Sequence, residues 1–258
     1  MDYLFIYTMG FSLVLIRLSA FFLTVPLFSY RTIPSMLKIG IATFFAIIIS
    51  IQMDFSYLEN TEAFFYLAIR ETLIGLSIGL VAFIIITAIQ VAGGFIDFQM
   101  GFAIANVIDP QTGTQSPLIG QYLYIFALLV LLILDGHHLI LDGIFYSYEF
   151  IPLEKMVLNT NFASLADFVA RVFGQMFIIA FQMAVPLVGC LFLVDLSLGI
   201  MARTVPQLNV FVVGLPLKIL VSFIVLILTM GSFYIVLKKL FYFMFQVMRS
   251  LMEIIGGV

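Results

Sequence analysis

The run LNVFVVGLPLKILVSFIVLILTMGSFYIVL, from Leu208 to Leu237, carries a single charge, Lys218, in thirty positions. A helix that crosses a bilayer needs about 20 consecutive apolar residues, within a range of roughly 17–25. This run passes that test with residues to spare. It shows no period-2 alternation, so it reads as helix and not as a barrel strand. Working outward, further apolar runs lie at 4–26, 72–92 and 168–194, with a short one at 39–53 and a marginal one at 118–134. An amphipathic stretch follows at 240–255. The expected fold is all-α: an integral membrane bundle of about six long hydrophobic helices with broken segments.

Composition agrees. Hydrophobic residues make up 64% and charged residues 10% of the 258 positions, where soluble domains hold roughly 45–50% and about 25%. A soluble chain this apolar lacks the polar groups to cover its surface. The net charge is −3 and the eleven Lys and Arg are scattered, which excludes nucleic acid as a partner. Cys190, the one cysteine, sits in an apolar stretch as a small hydrophobe and has no intrachain disulfide partner. Met1-Asp2-Tyr3 gives no basic n-region, so the first run reads as a retained helix, not a cleaved leader. Tryptophan is absent, which leaves interfacial anchoring to the eleven Tyr and to Lys and Arg.

The segments between runs carry the topology. Pro26 to Lys38 holds Arg31, Asp54 to Glu62 is acidic, and Gly93 to Pro117 mixes Gly, Asp, Asn, Gln and Pro. Asp135 to Asp167 is long, acidic and Tyr/Phe-rich, and 195–207 carries Asp195, Arg203 and Pro206. The excess of Lys and Arg in cytoplasmic loops places Arg31, Lys38 and Arg203 inside. Six spans then leave both termini outside, whereas Lys238, Lys239 and Arg249 favour the inside. Either 240–255 turns back or some of these helices are not simple spans.

A charge at mid-membrane costs about 2.5–3.5 kcal/mol even on the lenient insertion scale, so each one needs a partner or a watery wall. Arg17, Arg70, Glu71 and Asp97 stand in that position. Gln175 and Gln182 interrupt the fifth run seven residues apart, on one helix face, and Arg171 shares a face with Gln175. These residues read as bundle hydrogen bonding, with a polar conduit as the sharper alternative. Gly75 and Gly79 have the GxxxG spacing that lets helices approach closely. Asp135, His138 and Asp142 fall along one helical face. They read as a polar helix start at the membrane edge, since three ligands without a fourth donor make a poor metal site. No catalytic constellation is visible. Asp97 and Asp195 lack the motif residues that an intramembrane aspartyl protease requires. No metal, no cofactor and no enzymatic activity are expected.

Specific residues then say more than composition. Arg17 and Pro26 precede Pro34–Lys38. Gly93-Gly94 leads through Gln99-Met100-Gly101-Phe102 to Asp109-Pro110 and Ser116. Gly136-His137-His138, Ser147-Tyr148 and Ile151-Pro152 follow. Then come Pro186, Asp195-Leu-Ser-Leu-Gly199, Arg203-Thr-Val-Pro-Gln-Leu-Asn-Val-Phe211 and Gly214 to Lys218. Over nearly its whole length the chain resembles the FliR family of flagellar export-gate proteins, whose injectisome relatives are the SctT proteins, and it looks more like the flagellar branch.

The resemblance implies a non-enzymatic core subunit of the type III export gate in the bacterial inner membrane at the flagellar basal body. It implies FliP-like and FliQ-like partner subunits, FlhB- and FlhA-like neighbours, lipid, and unfolded flagellar subunits as cargo. It divides the chain into a FliP-like portion, 1–165, and a FliQ-like hairpin with a C-terminal helix, 166–258. Arg17, Glu71, Gln175, Gln182, Pro186, Asp195 and Gly199 are expected in assembly or in the polar bundle. Residues 199–209, with Arg203, Pro206, Gln207 and Asn209, and Lys218 beyond them, are expected at a cytoplasmic turn. Asp109, Pro110, Gln111, Thr112, Gly113, Thr114, Gln115, Ser116 and Pro117 are expected to form a loop that partly plugs the closed pore. Flexible apolar side chains among the 13 Met and 29 Phe suit a constriction that passes polypeptide and holds back ions. The competing class is a secondary transporter or ion channel for a small solute, which calls for paired broken helices. Pro186 and Pro216 have no counterpart in the first half.

Overall fold

The computed structural model describes residues 2–30, 33–56, 58, 61–102, 117–154, 162–205, 207 and 209–257. Among these residues the regular structure is helix alone: α1 (Asp2–Thr24), α2 (Ser35–Ile51), α3 (Thr61–Met100), α4 (Leu118–Ile133), α5 (Gly136–Phe150), α6 (Phe162–Thr204) and α7 (Val210–Gly256). Four of these helices are long and apolar enough to cross a membrane, and α4 with α5 forms a fifth, broken candidate.

Helix starts follow local chemistry. Pro34 (φ −57) precedes α2 and Pro117 (φ −55) precedes α4. A proline there has no N–H to leave unpaired, and its fixed φ suits a helix entry. The break between α4 and α5 falls at Leu134–Asp135, where Asp135 takes a left-handed φ of 55. Aspartate tolerates that conformation better than most side chains.

The structure lengthens several expected elements. Residues 93–100 continue α3, 195–204 continue α6, and 240–256 continue α7 without a break. The segment at 240–255 therefore does not turn back. Helices α3, α6 and α7 hold 40, 43 and 47 residues, or about 60–70 Å at 1.5 Å per residue. That is about twice the ~30 Å hydrocarbon core. Pro186 and Pro216 sit inside continuous helices, as membrane helices tolerate.

Helix α5 starts where a polar helix start was expected, but its extent to Phe150 was not. GHHLILDGIFYSYEF mixes two acids and two histidines into its apolar residues, so it fails an apolar-run test. Its buried positions, Gly136, Ile140, Ile144, Ser147 and Tyr148, nevertheless keep the helical period.

The helices group into two compact units, one of Met1–Ile85, Asp135–Phe173 and Tyr242–Val258, the other of Ile86–Leu134 and Gly174–Phe241. In the first, Leu13, Val14, Leu18, Phe21, Ile74, Ile78, Ile140 and Ile144 are buried. Gly75 and Gly79 carry the close approach that their spacing suggests. A Cβ on Gly75 would overlap the Arg17 carbonyl oxygen, and one on Gly79 the Thr24 hydroxyl. In the second, Ile86, Ile89, Ala92, Ile96, Leu123, Ala127, Leu187 and Leu191 are buried. There Gly93 meets the backbone of Gly120, so α3 and α4 touch where neither has a side chain.

Candidate functional site

The first unit is organised around Arg17, which is completely buried. Its Nε donates to Glu71 Oε2. Nη1 donates to the Ser147 carbonyl at 3.0 Å and to Ser147 Oγ at 3.1 Å, and Nη2 donates to the Ile151 carbonyl at 2.9 Å. The guanidinium lies over the Tyr148 ring, 4.1 Å from its centroid, and the Tyr148 hydroxyl donates to the Val14 carbonyl at 3.2 Å. Arg70 completes the set. It is 3.6 Å from Glu71 and donates to the carbonyls of Pro152 at 2.9 Å and Leu153 at 3.2 Å. Two arginines thus share one carboxylate and the end of α5. Only a planar, multiply donating fork can reach so many acceptors at once. The charges answer one another and the surrounding carbonyls, so the arrangement holds structure. Arg17 and Glu71, expected in assembly or in the polar bundle, lie together in this buried cluster. The sequence reading quoted Ser147-Tyr148 and Ile151-Pro152 as motif residues but did not pair them with the arginines.

In the second unit, Asp97 is buried and accepts the Ile119 N–H at 3.0 Å and the Gly120 N–H at 3.5 Å. It caps α4 from another helix, in place of the missing local cap at Pro117. This satisfies donors that the first turn of a helix otherwise leaves open. The Phe102 N–H donates to the Asp97 carbonyl at 3.0 Å. Asp97 therefore fixes both described ends of the 103–116 segment. Of the expected plug loop, Asp109 to Ser116 lie outside the described residues; Pro117 stands at the entry to α4.

Asp195 joins a second cluster. It pairs with Lys218 Nζ and accepts from Gln99 Nε2 at 2.9 Å, while Lys218 also reaches the Gln99 carbonyl at 3.5 Å. Lys218 therefore lies inside α7 as part of a three-helix cluster, not in the turn that was expected to hold it. Asp97 and Asp195 both use their oxygens on protein donors. Gln175, Gln182 and Pro186 are exposed on α6, and Arg171 pairs with Asp167 at 2.6 Å instead of sharing a contact with Gln175.

Gly199 and Arg203 are helical, not part of a turn. The break between α6 and α7 is confined to 205–209, because Pro206 disfavours helix at the residue before it. Gln207 and Asn209 are exposed there, and Pro206 itself lies outside the described residues. At the start of α5, ligand atoms of Asp135, His137 and His138 come within 4.8 Å of one another. His137 takes the place that the one-face reading gave to Asp142. The three groups decorate a helix N-terminus, whose partial positive charge opposes a cation.

The sequence pattern of bacterial export proteins, family 1, matches residues 8–244. The chain is 54% identical to the flagellar biosynthetic protein FliR of Bacillus subtilis (strain 168) over 248 residues, 96% of each chain. It is 29% identical over 209 residues to the protein of the same name from Escherichia coli (strain K12), covering 81% of this chain and 79% of that one. It is 28% identical over 222 residues to the Yop proteins translocation protein T of Yersinia pestis, 84% of each.

Proposed function

Because the chain belongs to bacterial export proteins family 1, the FliR family, we propose that it helps to wall the channel through which unfolded flagellar subunits leave the cytoplasm. Membership makes it a non-enzymatic membrane component of the flagellar type III export apparatus, at the basal body in the inner membrane. In our reading its immediate partners are FliP-like and FliQ-like subunits, with FlhB- and FlhA-like proteins nearby. Residues 1–165 supply a FliP-like portion, and 166–258 a FliQ-like hairpin with a C-terminal helix.

One observation carries this reading: the chain does not cover itself evenly. Of the most apolar stretch of α3, 56% is buried within the chain, against 28% for α6 and 6% for α7. Helices twice the length of a bilayer core, with apolar flanks left open, suit a subunit of a larger assembly. A transporter of small solutes would enclose its own site. Purification in mild detergent with identification of the co-purifying chains tests the proposal. FliP- and FliQ-like chains are expected. A monodisperse, cooperatively melting monomer would overturn it.

Two finer assignments belong to the same reading. The turn at 205–209 faces the cytoplasm, so a cysteine at Thr204 is labelled from that side only. The segment from Asp109 to Pro117 partly plugs the closed channel. Asp109-Pro110 and Gly113 are turn-forming chemistry, and irregular backbone cannot face hydrocarbon, where each unpaired group costs several kcal/mol. Deleting Gln111 to Ser116 should leave assembly intact and make cells leak small ions. A correctly assembled deletion mutant with unchanged permeability would reduce the segment to a connector.

A further inference from the structure

Asp142 takes no part in the histidine cluster at the start of α5 and lines a groove instead. The groove lies within the first unit, between α5 and the last third of α7, and holds about 570 Å³. Two close approaches frame it. A Cβ on Gly143 would stand 3.2 Å from the Met248 methyl, and one on Gly256 would overlap the Phe150 carbonyl oxygen. The two helices therefore run side by side in the same direction, and the groove opens along their seam.

Floor and rim differ in chemistry. Met248 and Met252 are 1% and 3% exposed at the floor, and methionine fits irregular partners. The rim is acidic: Asp142 and Glu149 are exposed, with Tyr146 open between them. Their spacing of seven residues puts both on one helix face, about 10 Å apart along the axis. Arg249, the cation in the lining, is committed to Glu253 on its own helix at 3.0 Å. Among the described residues no cation pairs with Asp142 or Glu149.

The occupant must answer both features. An acyl chain would lie against two carboxylates, which hydrocarbon disfavours, and a lipid phosphate would meet two like charges. A helix with Lys or Arg at two positions seven apart, and large apolar residues three and four positions along, matches rim and floor together. We propose that the groove receives such an amphipathic helix from another protein of the export apparatus. Its two basic side chains pair with Asp142 and Glu149, and its apolar side chains enter over Met248 and Met252. The rim selects the partner by charge, since an acidic helix of the same shape is repelled. The inference rests on the reading of the chain as a subunit of a larger assembly and concerns neither the open flank of α6 nor that of α7.

The test is made in cells that carry the full-length chain in its assembly. With p-benzoylphenylalanine in place of Tyr146, illumination cross-links the chain to what covers the groove, and mass spectrometry maps the attached peptide. The expected product joins a different protein at a helical segment with two basic residues two turns apart. With each exposed ion pair contributing on the order of threefold, Asp142→Asn/Glu149→Gln should lower its yield about tenfold. Gly143→Leu fills the groove, presses only on the flexible end of Met248, and should lower the yield as much without removing a charge. Yields are compared in solubilised material that elutes as folded protein. A product with lipid alone, with this chain alone or with a segment lacking the basic pair would overturn the proposal. So would the absence of any product, or an undiminished yield in either variant. If FliP- and FliQ-like chains still co-purify with the unaltered protein, such a result removes the groove assignment and leaves the assembly reading standing; only their absence overturns the latter.

Discussion

The two units treat their ion pairs differently. In the first, Arg17, Arg70 and Glu71 are withdrawn from solvent entirely and answered by one another, by Tyr148 and by the carbonyls at the end of α5. In the second, Lys218 and Asp195 stay partly open, with 20% and 38% of their side-chain surface exposed, and Phe177, Phe181, Phe192 and Leu196 on α6 are more open still. The first unit is held by interactions that the chain owns. In the second, the Lys218–Asp195 pair is more open to what surrounds it.

The strongest way to break that contrast is to remove one partner of the buried pair. Arg17→Ala or Glu71→Ala should destabilise the chain by about 3–5 kcal/mol, because the remaining charge is left buried and alone. In immunoblots of isolated membranes the protein should nearly disappear. An apolar pair such as Arg17→Met with Glu71→Leu should recover part of the loss, and failure of any recovery would mean that the carbonyl contacts matter more than the charge.

Next comes Asp97→Ala, which leaves the Ile119 and Gly120 N–H groups without their acceptor at about 1–3 kcal/mol each. The expected result is a lower melting temperature in detergent, with protease sensitivity concentrated around residues 101–117. Lys218→Ala should be milder, on the order of 1 kcal/mol or less, since its pair is partly exposed. A larger effect would show that the second unit is as self-contained as the first.

The smallest effect sharpens the contrast from the other side. Gly189 has open space around it, whereas Gly75 faces the Arg17 carbonyl. Gly75→Ala should weaken the chain itself. Gly189→Ala should leave its melting temperature equal or slightly raised, since alanine favours helix over glycine by about 1 kcal/mol. Any loss in Gly189→Ala should then show only in co-purification of partners.

Much of the fold was legible because membrane helices announce themselves by apolar length, as the 208–237 run does. Gly75 and Gly79 were legible too, since their spacing is itself the geometry of contact. Helix ends were less so. Polar residues such as Asp97, Gln99, Asp195 and Arg203 look like loop punctuation in sequence. In the structure they stay helical, because the long helices α3 and α6 run well beyond the length a bilayer requires. Helix α5 was legible in its start but not in its extent for a related reason: its polar residues break the apolar run while its buried face keeps the helical period. The site was legible as a set of expensive residues but not as pairs. Nothing local tells Arg17 that its carboxylate is 54 residues away and its carbonyl acceptor 130 away.

That separation also has a meaning in time. A ribosome adds about 5–20 residues per second, so Glu71 emerges roughly 3–11 s after Arg17 and Ser147 roughly 7–26 s after it. Throughout that interval α1 carries a cation whose unpartnered burial in lipid costs about 2.5–3.5 kcal/mol. The first helix made is consequently among the last to settle. Its seat is completed only when α5 arrives, and a nascent chain that stops before Ser147 leaves the Arg17 guanidinium paired with Glu71 alone.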